Sequence, residues 1–264
     1  STGCIWNQIQ LTLVTTIRKF HCFSYENQSK RYCKLCQSHF SVTKGSFFHG
    51  YQTGIVENYL ILQDFLGFNT VLSLVRKHQK SVTYLTSFFK AIRERVTKKF
   101  LAEVPMLTGT IEIDESLFGH HKHHNGRFRE SMQIWVLGFK QRESKLSRFI
   151  VVGKDRSAAK LIPEIKKVVK ENQTIMTDKW RAYNSLSDWF EHLTINHSEN
   201  YVDPVDKSIH TQSIEATWNM AKKFFRCMSG CANANKQEYL DYYSAMKMFD
   251  FNIHKAIQHY FQAE

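Results

Sequence analysis

The chain offers no apolar run long enough to cross a bilayer. Its longest early apolar stretch, Ile9 to Ile17, is interrupted by Gln10, Thr12, Thr15 and Thr16, and is too short and too polar for a transmembrane helix. A charged segment leading into an apolar core and a small-residue cleavage site is also missing, which argues against secretion. Cysteine is sparse: six in 264 residues are too few for a disulfide scaffold, so a reducing, intracellular compartment is expected. Acid is the minority charge. The chain holds 36 Lys and Arg against 24 Asp and Glu, a formal net charge of +12 at pH 7. That surplus favours a polyanionic partner, nucleic acid or an acidic membrane surface, with a merely basic soluble protein as the bland alternative. The chain begins with Ser1 rather than a methionine, so the true amino terminus is expected upstream.

What is present can build a core: 42% of residues are hydrophobic and 14% aromatic. From Cys22 to Phe48 the sequence is short, aromatic and basic, and Cys33-Lys34-Leu35-Cys36 has the two-residue gap of a zinc knuckle. Four ligands are needed. The rest would come from Cys22 together with His21, His39 or the distant Cys4; the other reading is a degenerate ribbon held by Phe23, Tyr32, Phe40 and Phe47 packing alone. Residues from about Val56 to Ala102 then show helical periodicity, with Ser81 as the N-cap of a third helix over Val82 to Leu101. This helix bears Lys90, Arg93, Arg95, Lys98 and Lys99. Three helices with short connections resemble a helix-turn-helix module whose last helix enters a major groove; a solvated basic face is the alternative.

Pro105 and Gly109 mark a linker, after which strands dominate. Thr110 to Asp114 alternates, and Gln133 to Lys140 and Arg148 to Gly153 are apolar runs. A helix is expected from about Ser157 to Lys170, then a strand Thr174 to Asp178, a short helix near Ala182 to Phe190, and a strand around Leu193 to Asn196. This order is that of a ribonuclease H-like α/β domain. The histidines of Gly119-His120-His121-Lys122-His123-His124-Asn125-Gly126-Arg127 read as a polar hairpin loop, since Asn-Gly is turn chemistry and no carboxylate orients the imidazoles. From Thr211 to Met228 a helix aligns Ile214, Trp218, Ala221 and Phe225 in one stripe, with Glu215 beside it. A last helical run, broken from the previous one at Ser229-Gly230, is expected over Lys236 to Ile257.

Three carboxylates stand out: Asp114 and Asp178 at the ends of strands, and Glu215 on the helix. Phosphodiester chemistry needs an activated oxygen nucleophile and neutralised charge at phosphorus, which two divalent cations about 4 Å apart can supply. Mg²⁺ wants hard oxygen ligands and keeps several waters, so two or three converging carboxylates suffice. Glu112 shares a strand face with Asp114, and periodicity alone does not choose between them; Glu115 and Asp188 are further competitors.

The quoted segments resemble a family. Ile111-Glu112-Ile113-Asp114-Glu115, Thr177-Asp178-Lys179-Trp180-Arg181-Ala182-Tyr183 and His210-Thr211-Gln212-Ser213-Ile214-Glu215-Ala216-Thr217-Trp218 are similar to the three acid motifs of DDE transposases of the Merlin superfamily and their bacterial insertion-sequence relatives. Asn196-His197-Ser198 with Tyr201-Val202 also matches the stretch before the third acid. Gln212 departs from the family's more usual Asn, and Phe249-Asp250-Phe251-Asn252 matches its aromatic-Arg-x-Asn ending only loosely.

The resemblance implies a small zinc-ribbon-like segment (1–50), a helical DNA-binding module (51–104) and a ribonuclease H-like catalytic domain with C-terminal helices (105–264). It implies that Asp114, Asp178 and Glu215 hold Mg²⁺ or Mn²⁺; Zn²⁺ on Cys22, Cys33 and Cys36 is an expectation from the cysteine spacing, and the lack of a clean first cysteine pair departs from the family. The expected reaction is a hydrolytic cut at transposon ends followed by attack of the freed 3′-hydroxyl on target DNA. The expected partners are double-stranded DNA and further copies of the chain, a dimer or larger, and the location is nuclear in a eukaryotic host. The second reading is a transposase-derived DNA-binding protein without the reaction.

Overall fold

In the computed structural model, which describes residues 23–27, 30–33, 38–41, 43, 46–51, 53–119, 133–195, 209–227 and 233–261, the early aromatic and basic segment forms three short strands. These are β1 (Phe23–Asn27), β2 (Lys30–Cys33) and β3 (Ser38–Ser41), paired antiparallel in the order β1-β2-β3. Three helices follow where periodicity predicts them: α1 (Ile55–Leu66), α2 (Val71–His78) and α3 (Val82–Glu103). Their starts are locally encoded. Thr70 caps α2 by accepting from the Ser73 N–H at 3.2 Å, and Ser81 accepts from the Tyr84 N–H at 3.1 Å at the start of α3.

The chain divides into two compact units, one built from the residues before Arg93 and after Asp250, the other running from Arg93 to Asp250. The division falls inside α3. In the first unit Phe65 stacks on Phe89 with centroids 4.2 Å apart, and Phe47 meets Phe88 and Phe261 edge-on or tilted. Rings of this size bury much apolar area per residue, which suits a small unit.

The second unit is built on a five-stranded sheet: β4 (Thr110–Phe118), β5 (Ile134–Gln141), β6 (Ser147–Gly153), β7 (Thr174–Asp178) and β8 (Glu191–Ile195). The order is β6-β5-β4-β7-β8. Antiparallel pairs join β4, β5 and β6, whereas β7 lies parallel to β4, and β8 parallel to β7. Helix α4 (Ala158–Val168) makes the crossover between β6 and β7 that a parallel strand requires, burying Leu161 and Ile165. A 3-10 helix, Arg181–Asp188, links β7 to β8.

Helix α5 (Gln212–Cys227) lies against β4 and β5, and α6 (Lys236–Lys247) against β6. The stripe expected on α5 is buried as read: Ile214, Trp218, Ala221 and Phe225 are each 7% exposed or less. On α6, Gln237 serves the open edge of β6. Its amide accepts from the Val151 N–H and donates to the Phe149 carbonyl, both at 2.8 Å, so part of an edge strand is hydrogen-bonded without another strand.

The last helical region is not one helix. It ends at Lys247 and restarts as α7 (Ile253–Phe261), because Asp250 and Phe251 adopt left-handed φ values of 51° and 56° that a helix does not continue through. Asn252 caps the restart by accepting from the Lys255 N–H at 3.1 Å. Among the described residues no helix is long and apolar enough to cross a membrane.

Candidate functional site

The site grows from the parallel pairing of β4 and β7. Their register sets Thr110 beside Thr174, Ile111 beside Ile175 and Glu112 beside Met176, so two residues on Asp114 stands level with Asp178. Residues level on neighbouring strands share a face. The sheet therefore brings together two acids that lie far apart in sequence. Asp178 is oriented by its own turn: the Trp180 N–H donates to its Oδ1 at 3.1 Å, the Asx arrangement that a short carboxylate makes two residues on.

Glu112 and Asp114, which periodicity left equivalent, have different surroundings. Glu112 is 0% exposed and fully engaged. Its Oε1 accepts from Arg142 Nε at 2.6 Å and its Oε2 from the Ile214 N–H at 2.9 Å, while Arg142 also donates to the His210 carbonyl at 2.6 Å. A carboxylate at a helix N-terminus meets otherwise orphaned N–H groups and the positive end of the helix dipole. Glu112 thereby fastens the start of α5 to the central strand. One residue beyond Ile214 comes Glu215, which is exposed, with the Thr211 hydroxyl 3.5 Å from its Oε1.

Three residues further along α5, Trp218 donates its indole N–H to Asp114 Oδ2 at 3.1 Å. It can do so because the residue paired with Asp114 on β5 is Gly138. A Cβ there would stand 2.3 Å from Trp218 Cζ2, an impossible approach. The missing side chain lets the indole lie flat enough on the sheet to reach the acid, with Phe149 and Phe118 closing around it.

The acids feel one another. Burial pushes Asp114 up to about 6; repulsion from Asp178 and Glu215 adds to this, while the Glu115 N–H and the Trp218 indole pull the other way. Glu115 is pushed up to about 7, again chiefly by burial, with Asp114 and Asp178 adding and the Tyr183 hydroxyl and Arg156 opposing. Lys222, seven residues beyond Glu215 on α5, is lowered by burial but interacts favourably with Asp114. Among the described residues no three His, Cys, Asp or Glu side chains close to the spacing of a metal cage. The donor set is nonetheless hard oxygen, and Mg²⁺ or Mn²⁺ keeps waters in place of a full protein cage, so the three acids fit such an ion chemically.

Sequence reasoning missed Gly138, Trp218 and Lys222 as parts of this site. Trp218 reads as core stripe and Gly138 lies unremarked in an apolar run; the one available signal was the spacing of Trp218 and Lys222 from Glu215, three and seven residues along one helix face. Of the five basic residues expected on a DNA-contacting helix, Lys90 and Lys98 are exposed and Arg95 and Lys99 half-buried, Lys99 facing Glu103 at 3.7 Å. Arg93 must be removed from that set. It is 8% exposed, donates to Glu238 Oε1 at 3.0 Å and covers the Tyr239 ring at 4.4 Å, because the basic face of α3 turns inward there onto α6. Cys33 lies in β2, whereas Cys22 and Cys36 fall outside the described residues, as do the four histidines between β4 and β5 and the break expected at Ser229-Gly230.

Strand order, together with acids on the two central strands and on the helix laid across them, defines a ribonuclease H-like α/β domain. The ISXO2-like transposase domain matches residues 106–252, and the chain belongs to that family, a family of DDE transposases. An uncharacterised transposase-like protein of Haemophilus influenzae is 29% identical over 97 residues, covering 36% of this chain and 76% of that protein. Two solved structures overlap more loosely. A pre-cleavage Mos1 transpososome matches with a TM-score of 0.25 at 11% identity, and the Mos1 strand transfer complex with 0.25 at 12%, each covering 80% of both chains. Overlaps of that size carry no argument about this chain.

Proposed function

We propose that the chain cuts DNA at transposon ends and joins the freed 3′ ends to target DNA, with Asp114, Asp178 and Glu215 as the ligands of Mg²⁺ or Mn²⁺. The observation that supports this most is the clustering of acid around Asp114. Asp114 is pushed up to about 6 by burial and by repulsion from Asp178 and Glu215, while Glu112, two residues away, has a full set of donors. A fold built for stability alone gains nothing from mutually repelling carboxylates at a sheet rim. When bound, the ions would lower the pKa of an attacking water and neutralise charge developing at phosphorus.

The chain's own residues hold the acids in place. Trp218 fixes the rotation of Asp114, the Trp180 N–H that of Asp178, and Glu112 sets where α5 presents Glu215. Preorganisation of this kind keeps reacting groups aligned without reordering during the step. Lys222 adds a cation beside Asp114, suited to the phosphate charge of the substrate. Duplex DNA as partner is supported by the net charge of +12 and by Lys90, Arg95, Lys98 and Lys99 on α3. Binding should weaken steeply with salt, log K falling by about 0.9 per phosphate neutralised.

Sequencing the genomic DNA on both sides of the gene supplies the substrate, since matched terminal inverted repeats identify the cognate ends. The decisive assay compares nicking of that end DNA by the wild type and by Asp178→Asn in Mg²⁺ or Mn²⁺. Equal activity in the two proteins sinks the assignment. Tight binding by the wild type with no cut strand would favour a transposase-derived DNA-binding protein.

A further inference from the structure

Beside the acids lies a feature that the proposed chemistry does not use. The guanidinium of Arg156, from the loop after β6, sits 3.7 Å from the ring centroid of Trp135 and 4.6 Å from that of Trp180. Trp135 is the second residue of β5 and pairs with Leu117 of β4; Trp180 is two residues beyond Asp178 and gives it its backbone N–H. Arg156 also acts electrostatically on Glu115, which itself feels Asp114 and Asp178. The two indoles and the guanidinium are therefore neighbours of the acid pair. All three are half-buried, and Lys179 and Arg181 on either side of Trp180 are exposed.

A single cation over a ring is an ordinary surface fastening, as with Lys166 over Trp189 at 3.0 Å in the same unit. Two indoles around one guanidinium, flanked by exposed cations and set next to catalytic acids, combine the two elements that bind unpaired nucleic acid: faces on which bases stack and charges that track the backbone. Duplex DNA does not use such faces, because its own bases are stacked on each other. We infer that Trp135, Arg156 and Trp180 form a platform for an unpaired DNA strand, and that it holds the nucleotides beside the phosphate lying at Asp114 and Asp178. This inference rests on the transposase reading for the identity of the strand, but not for the binding itself. Arg156 is a positioning residue on this account. Its guanidinium plane, already held between the rings, is preorganised to meet a phosphate with little further loss of side-chain freedom.

Binding measured in EDTA separates the platform from the reaction. Fluorescence anisotropy of a labelled oligothymidylate of about 12 nucleotides, and of a duplex of the same length, is read with the full chain. Arg156→Gln and Trp135→Leu should each weaken single-strand binding by about tenfold, while changing duplex binding by less than about twofold. Lys167→Gln removes the same charge from exposed α4 and should leave both within about twofold. Arg156→Lys should recover only part of the loss, since it restores charge without the plane. Wild-type single-strand affinity in Arg156→Gln and Trp135→Leu overturns the inference, as does a loss matched in the duplex and in Lys167→Gln. Where a harsher variant does not fold, Arg156→Lys and Trp135→Phe read the same contrast. A platform that fails this test leaves cleavage by the three acids standing, and a chain that binds single strands but cuts equally well as Asp178→Asn keeps the platform while losing the transposase reading.

Discussion

Glu112 and Asp114 sit two residues apart on one face of one strand, yet they belong to different kinds of region. Around Glu112 every charge has a partner: Arg142 and the Ile214 N–H saturate the carboxylate, and α5 is anchored as a result. Around Asp114 the balance is reversed: burial and two further acids push against its charge, with an indole, one backbone N–H and Lys222 on the other side. The lesson is that burial of an acid does not mark function by itself. What separates the two is whether the neighbours compensate the charge or add to it.

The contrast can be broken most forcefully at the repelling acids. Asp114→Asn should lower cleavage of cognate ends by more than about a hundredfold, since loss of even an outer partner of a metal ligand costs about 10- to 100-fold. The same variant should fold at least as well as the wild type. The folded-state pKa of Asp114, about 6, lies above the ordinary 3.8, so the native protein takes up a proton between these values and loses stability as pH rises through that window. Asn does not titrate. Thermal unfolding without divalent ions should thus show the variant gaining on the wild type from about pH 4 to pH 7, and an unchanged difference across that range would contradict the raised pKa of Asp114.

The compensated acid should behave oppositely. Glu112→Gln breaks a buried charge pair and should destabilise the fold by about 3 kcal/mol in urea denaturation, with activity falling further than the folded fraction because Glu215 loses the clasp that positions it. Gly138→Ala lies between the two regions. Its new methyl would displace Trp218, so a loss of about 1–3 kcal/mol from overpacking should accompany slower cleavage as the indole leaves Asp114. The smallest effect belongs to Trp218→Phe, which keeps an aromatic ring but removes the donor. It should lose about 1 kcal/mol and shift the acidic limb of the pH–rate profile upward, because Asp114 loses a hydrogen bond that favours its charged form.

Much of this arrangement was legible in the chain. The run Thr174 to Asp178 is a strand with the bounds read for it, Ser81 meets the first turn of α3, and the stripe from Ile214 to Phe225 faces the core. These follow from local periodicity and capping. The pairing of β4 with β7 is encoded by no local pattern; only the order of elements, that of a ribonuclease H-like domain, points to it. What stayed hidden depends on contacts between distant segments. A basic helix face does not disclose that Arg93 turns in to meet Glu238, and nothing in the letters Asp250-Phe251 signals the left-handed pair that splits α6 from α7, since neither residue is the glycine that usually marks such a stop. Gly138 and Trp218 acquire meaning only when β5 and α5 are laid together.

The anchoring of Ile214 by Glu112 has a consequence for how such proteins diverge. Glu215 is held in place by a clasp to the central strand, one residue before it. Insertions or deletions in the sequence between 196 and 208 are expected to displace Glu215 less than loss of this contact does. A search for relatives keyed to the clasp, a buried Glu two residues before Asp114 with an Arg in the turn after the neighbouring strand, is therefore expected to depend less on the interval between Asp178 and Glu215.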